Sequence, residues 1–254
     1  MPPLPDIAVS TSAYADQALA PTLERIAALA PAAEIRSFGM HDLLDKHNLT
    51  AAQAAGLSYT VHGPFGAASL GDASKRVRTQ LLDEHRRQLA AAAAVGARLY
   101  VVHPDWSAET VPRDPQVVAA LERSFRTLAE WQTEYGVDVV VENMPGAGCS
   151  HFTHPGDLDL QGLGLILDVG HANISECLHD WLAEPQAPLR HLHLHDNAGV
   201  GDGRDPHGAL GTGVVDAPAV VAAARAAGAS MVLENYDEAA VLGSLARLRE
   251  LRLL

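Results

Sequence analysis

Short apolar segments alternate along the chain with longer stretches whose apolar residues recur every three or four positions. Eight of the short segments read as strands buried on both faces: IAVS (7–10), AEIRSF (33–38), LSYTVH (57–62), RLYVVH (98–103), VDVVVE (137–142), GLILDV (164–169), RHLHLH (190–195) and SMVLEN (230–235). The longer stretches place Leu19, Leu23 and Ile26, then Val77, Leu81, His85 and Leu89, then Val118, Leu121, Phe125, Leu128 and Trp131, and finally Val241, Leu245 and Leu248 on one face of a helix each. Gly96 and Gly136 stand where the helices before the fourth and fifth strands must stop. No linker or low-complexity stretch interrupts the alternation. Eight strand-helix repeats predict an α/β fold, a single (β/α)8 TIM barrel domain over residues 1–254. A doubly wound open sheet would need a glycine-rich phosphate loop after its first strand, and TSAYAD follows IAVS instead.

A barrel of this kind does its chemistry where the strands end. Strand three ends at His62, strand four at His103, strand five at Glu142, strand six at Asp168 with His171 just beyond, strand seven in HLHLHD, and strand eight at Glu234. A single histidine at a strand end is commonly a satisfied polar group, but six consecutive strands ending on metal-binding or proton-moving residues predict a divalent metal centre. Mixed imidazole and carboxylate ligands suit zinc, manganese, iron or cobalt rather than calcium or magnesium. Within HLHLHD the period of two points His191, His193 and His195 into the barrel, His191 deepest and His195 nearest the mouth, while Leu192 and Leu194 face the helices.

Charge narrows the partners. The chain has 254 residues and a formal net charge of -13, the wrong sign for tracking a phosphate backbone, so nucleic acid is a disfavoured partner. No apolar run approaches a membrane span, and MPPLPDIAVS lacks the regions of a signal peptide, which together predict a cytoplasmic protein. Cys149 and Cys177, outside any CxxC pair, are expected as buried thiols.

The chain resembles the xylose isomerase-like TIM barrels, which include sugar-phosphate isomerases and epimerases and the endonuclease IV type of repair enzyme. The resemblance rests on H-x-x-D-N-x-G, then D-x-H, then G-x-G, present as His193, Asp196, Asn197, Gly199, Asp205, His207, Gly211 and Gly213, with ENMPG (142–146) and LDVGHAN (167–173). It implies a central metal on Glu142, Asp168, His193 and Glu234, a second on His62 and His103 with Glu142 bridging, and a third on His171, Asp205 and His207. One to three ions, zinc or manganese, are therefore expected, with Glu142, Glu234 and His171 in the chemistry.

Two activities follow from that ligand set. An isomerase or epimerase of a small sugar or sugar phosphate would move a proton at the carbon beside a metal-polarised carbonyl, and this is the reading placed first. A multi-metal phosphoester hydrolase acting on a small substrate is the alternative, and a noncatalytic metal-binding barrel the third. Keto-sugar epimerases of the superfamily carry an arginine shortly after the strand-seven ligand, where this chain has Gly199. Arg204 is the nearest substitute, and Arg36 and Arg113 are the other cations considered for a phosphate. His195, Asp196, Trp106 and Arg204 are expected to contact substrate. Glu34 is read either as a substrate contact or as a structural ion pair, and His41 as a residue that could reach the mouth. His151 and His154, around the start of an expected short helix, and His47 and His179 are expected at the surface. Barrels of this type often pair, so a homo-oligomer is admitted.

Overall fold

A computed structural model describes residues 7–254 apart from 67, 108, 111, 147, 202 and 203, so the opening MPPLPD and Asp202 and Gly203 of the glycine-rich loop lie outside the described residues. Eight parallel strands close into a barrel in chain order: β1 (Ile7–Ser10), β2 (Ala32–Arg36), β3 (Ser58–His62), β4 (Leu99–Val102), β5 (Asp138–Glu142), β6 (Gly164–Asp168), β7 (Leu189–Leu194) and β8 (Ser230–Leu233). Closure is made by β1 on β8, Ile7 opposite Met231 and Val9 opposite Leu233. The helices are α1 (Leu19–Ala27), α2 (Lys46–Ala54), α3 (Lys75–Ala94), α4 (Pro115–Tyr135), α5 (Val169–Ile174), α6 (Leu178–Ala183), α7 (Ala217–Ala227) and α8 (Glu238–Glu250). They are not spaced one per strand. Among the described residues the β5–β6 connection has no helix, and two short helices, α5 and α6, stand between β6 and β7. The short helix expected near His151 is therefore absent, in a segment broken by Pro155, Gly156 and Gly162.

The period of two decides where every strand residue goes. Tyr100 and Val102, Val139 and Val141, Leu165 and Leu167, Leu192 and Leu194 join the core between barrel and helices. Their alternates Leu99, Val101, Val140 and Ile166 pack together in a separate cluster within the barrel, and Ala8, Ala32 and Val232 form another. Continuing that inward row toward the strand ends brings Glu142, Asp168, His193 and His62 to the top of the barrel. Apolar layers below thus seat a polar layer above.

The helix-strand packing also holds buried polar side chains, His85 among them. His85 on α3 is fully buried and its Nδ1 lies 2.9 Å from the Tyr100 hydroxyl of β4. Burial pushes the imidazole down to about 3, helped by His103 and His62. The unfolded chain therefore takes up a proton near pH 6.5 that the folded chain refuses until about pH 3. His85's contribution to stability is complete above pH 6.5 and is lost as pH falls toward 3, with a slope of about 1.4 kcal/mol per pH unit for one proton. Denaturant midpoints measured between pH 7 and pH 4.5 should fall less steeply in His85→Gln than in the wild type.

No helix among the described residues is long and apolar enough to cross a membrane.

Candidate metal centre

Three of the ligand-type histidines are aimed by a bond that the other ring nitrogen makes. His62 places Nδ1 2.8 Å from the Gly63 carbonyl, His171 places Nδ1 2.9 Å from the Asn143 carbonyl, and His207 places Nδ1 2.8 Å from the Glu234 carbonyl. A carbonyl oxygen only accepts, so Nδ1 carries the proton in all three and Nε2 keeps its lone pair for the centre. His193 is the inverse case. Its Nε2 faces Glu34 Oε1 at 3.1 Å, while Nδ1 stands 3.3 Å from Glu142 Oε1, 3.4 Å from Asp168 Oδ2 and 2.9 Å from Glu234 Oε2.

Among the described residues five groups have one ligand atom per residue within 4.8 Å of the others; three are the expected sets, Glu142, Asp168, His193 and Glu234, then His62, His103 and Glu142, then His171, Asp205 and His207, and the other two are Asp168, His195, His207 and Glu234, and Glu34, His191 and His193. Glu142 joins the first two, its Oε2 lying 3.3 Å from His62 Nε2 and 3.1 Å from His103 Nε2. These atoms converge without satisfying one another: Glu142 Oε2, His193 Nδ1 and Asp205 Oδ2 are buried yet lack a hydrogen-bond partner. Unpaired lone pairs of nitrogen and oxygen collected at one place, without a sulfur donor, fit divalent cations such as zinc or manganese.

Electrostatics agree. Burial alone would raise the Glu142 and Asp168 carboxyls, but His193 and His103 around the first, and His171 and His195 around the second, hold both well below their ordinary range. Burial opposes charge on His193, yet Glu234, Glu34 and Glu142 raise it well above 6.5. A proton on His193 balances the buried carboxylates when no cation does so.

The structure reassigns several residues. Asp196 does not line the cavity: Oδ1 accepts the N–H groups of Asn197 and Val215 at 2.9 and 3.0 Å, and Oδ2 those of Gly211 and Gly213 at 2.8 and 3.0 Å. Gly213 is obligatory there, because a Cβ would overlap the Asn197 carbonyl oxygen and the Asp196 carboxylate. His195 is likewise absent from the cavity lining. Its Nε2 lies 3.1 Å from both Asp168 oxygens and its Nδ1 3.2 Å from Asp205 Oδ1, which overcomes burial and raises it to about 10. It stacks on His207 at 3.8 Å, which in turn stacks on Tyr236 at 4.0 Å. Gly170 makes this brace fit, since a Cβ there would strike the His195 ring. Arg204 is exposed and outside the cavity lining. Arg113 pairs with Asp157 at 3.3 Å, and half-buried Arg36 lies over the Phe38 ring. His41 is buried against the Gln17 carbonyl rather than at the mouth.

His151 is not a surface residue. It is buried, its Nδ1 lies 2.6 Å from Asp105 Oδ2, and its Nε2 accepts the Asp114 N–H, so it clamps the β4–α4 loop to the β5–β6 segment. His47, His154 and His179 are exposed. Cys177 is buried, whereas Cys149 is only partly so.

Above the ligands opens a cavity of about 760 Å³, lined by His62, His103, Glu142, His171, His207, Glu234 and Trp106, with Phe65, Leu81, His85, Met144 and Tyr236 among the further wall residues. The asparagines after the two glutamates carry positioning roles that were open to sequence reading as a repeated Glu-Asn pair. Asn143 clasps β6, its Oδ1 accepting the Asp168 N–H at 2.7 Å, and Asn235 donates to the carbonyls of His207 and Gly208.

Residues 24–251 match the family model described as a xylose isomerase-like TIM barrel. A Mycobacterium tuberculosis protein named "Probable endonuclease 4" is 31% identical over 205 residues, 76% of this chain and 79% of that one. A D-tagatose 3-epimerase-like protein superposes with a TM-score of 0.83 at 23% identity over 98% of both chains. A Thermus thermophilus protein soaked with zinc chloride gives 0.73 at 25% identity, covering 97% of this chain and 98% of the other.

Proposed function

The chain belongs to the xylose isomerase-like TIM barrel family, and from that premise we propose that it hydrolyses a phosphoester of a small molecule at a cluster of two to three divalent cations. The observation that carries this reading is the pair of flanking groups, His62 and His103 with Glu142, and His171 with Asp205 and His207. An epimerase working with one cation needs only the central group. The cavity wall adds a second support: none of its described residues is Lys or Arg, which leaves the charge of an ester phosphate to the cations. Bound there, they would supply Lewis-acid stabilisation of the phosphoryl charge and a more acidic water.

The chain's own part is to hold, aim and enclose. Glu142 ties the central group to the β3–β4 pair, and His195 ties Asp168 to Asp205, so the three groups keep one spacing. The cavity receives the ester at their open side and shields it with Phe65, Trp106 and Tyr236. Net hydrolysis adds one water across the P–O bond, the proton leaving with the alcohol.

Epimerisation of a small sugar is the second reading, favoured by Glu142 and Glu234 both reaching the cavity from β5 and β8, as proton transfer at one carbon would require. The two separate on His207→Ala. For the hydrolase, metal analysis should show one cation fewer and turnover of bis(4-nitrophenyl) phosphate should fall by about 10²-fold or more. For the epimerase, one cation should remain bound in the variant, and deuterium from solvent should enter a ketose. That second result, with no ester turnover by the wild type, would overturn the hydrolase.

A further inference from the structure

The cavity is far larger than an ester phosphate, and beyond the ligand-type residues its wall forms a mainly apolar and aromatic arm that includes Phe65, Trp106, Met144, and Leu81 and His85 of α3. Phe65 and Trp106 remain about half exposed, at 47% and 51%, which leaves aromatic surface uncovered. Phe65 is held in place by stacking on His103, with ring centroids 4.7 Å apart, and by an edge contact with Phe38 at 4.7 Å.

Most of the hydrogen-bonding capacity of this arm's polar groups is already used. Asp105 accepts from the His151 ring at 2.6 Å and from the Ser150 hydroxyl at 2.7 Å. Ser107 Oγ accepts the Glu109 N–H, and His85 Nδ1 is taken by Tyr100. A sugar ring placed here would turn hydroxyls toward carbon and find few free partners on the wall. A flat ring loses nothing by burial, and stacks. His85 Nε2, the nitrogen not used on Tyr100, is left to meet one polar edge of such a ring.

We propose that this arm is the subsite for a flat aromatic group, so that the substrate is a phosphoester whose organic part carries an aromatic ring and is not a bare sugar phosphate. The inference rests on the phosphoester reading for the group to which that ring is joined. Binding of non-hydrolysable probes tests it apart from turnover. Zinc-loaded protein titrated calorimetrically with phenylphosphonate and with methylphosphonate should bind the phenyl compound at least about tenfold more tightly. Trp106→Ala and Leu81→Trp, which fills the arm from α3, should each bring the ratio to within about twofold, and Leu81→Trp, away from the ester itself, should leave methylphosphonate affinity unchanged. Equal affinities in the wild type, no phenylphosphonate binding, or a preference surviving both substitutions would overturn the subsite. A preference that is present and abolished as expected, with neither aryl nor alkyl esters hydrolysed, would keep the subsite and remove the hydrolase. Ester turnover without the preference would do the reverse.

Discussion

Glu142→Gln should empty two cation positions and lower phosphoester turnover by about a thousandfold or more, the order expected when a principal electrostatic group is lost. The carboxylate is buried at the end of β5, and each oxygen serves a different group. Oε1 lies 3.3 Å from His193 Nδ1, and Oε2 lies 3.1 and 3.3 Å from His103 and His62. Glutamine keeps the volume, so the layers of Val139, Val140 and Val141 below it are undisturbed. It replaces one oxygen by an N–H donor and removes the negative charge that two groups share. Only one of them can then retain an oxygen, and neither retains the charge. In the metal-free chain His193 and His103 hold the Glu142 carboxylate ionised, so the neutral amide also removes a favourable ionic contact. Thermal unfolding of the metal-free variant should therefore come somewhat below that of the metal-free wild type. Metal analysis after both proteins are reloaded with zinc checks the loss, and a variant that bound its full complement would refute the bridging role.

The barrel and the positions of its ligand-type residues were legible for the same reason. A strand period of two and a chemistry confined to strand ends are both local rules, so Glu142, Asp168, His193 and Glu234 could be placed by counting along short apolar runs. What escaped depends on contacts between distant segments. His151 looked like a loop histidine because its partner Asp105 lies 46 positions earlier. The fifth connection is expected to hold a short helix near His151 and His154, but Pro155, Gly156 and Gly162 break it jointly. Asp196 and His195 sat beside a ligand in sequence, and adjacency suggested contact with substrate. Their side chains instead turn toward the returning loop, because Gly211 and Gly213 bring backbone N–H groups to Asp196, and Asp205 brings a carboxylate to His195. The aromatic wall was visible only at Trp106. Phe65 and Tyr236 each stand three residues past the end of β3 and β8, in loops that the strand period does not reach.

That returning loop leads to the second large effect, Asp196→Ala. The wild-type carboxylate is 1% exposed and accepts four backbone N–H groups, from Asn197, Gly211, Gly213 and Val215. Hydrogen bonds to a charged group contribute about 1.5–3 kcal/mol each, but water can reach part of a loop at the barrel rim once it loosens, so the full sum is not lost. A destabilisation of about 3–5 kcal/mol is expected, the size seen when one partner of a buried charged network is removed. Asp196→Asn is no rescue, because the amide NH₂ group would face either the Gly211 and Gly213 pair or the Asn197 and Val215 pair, donor against donor. The Asp196–Gly208 bridge, made by two backbone bonds of 3.0 and 2.9 Å, still ties the start of the loop to His207's neighbour. The strain recorded at His207, a non-glycine with φ of 50°, then has less to hold it. Loosening should therefore reach Asp205 and His207 before it reaches His193, whose strand is paired on both sides. Denaturant unfolding should show the loss of stability, and metal titration of the still-folded variant should show the outer group weakened by more than the central one. Equal weakening of both would mean that Asp196 supports the barrel as a whole and not the loop that carries the outer ligands.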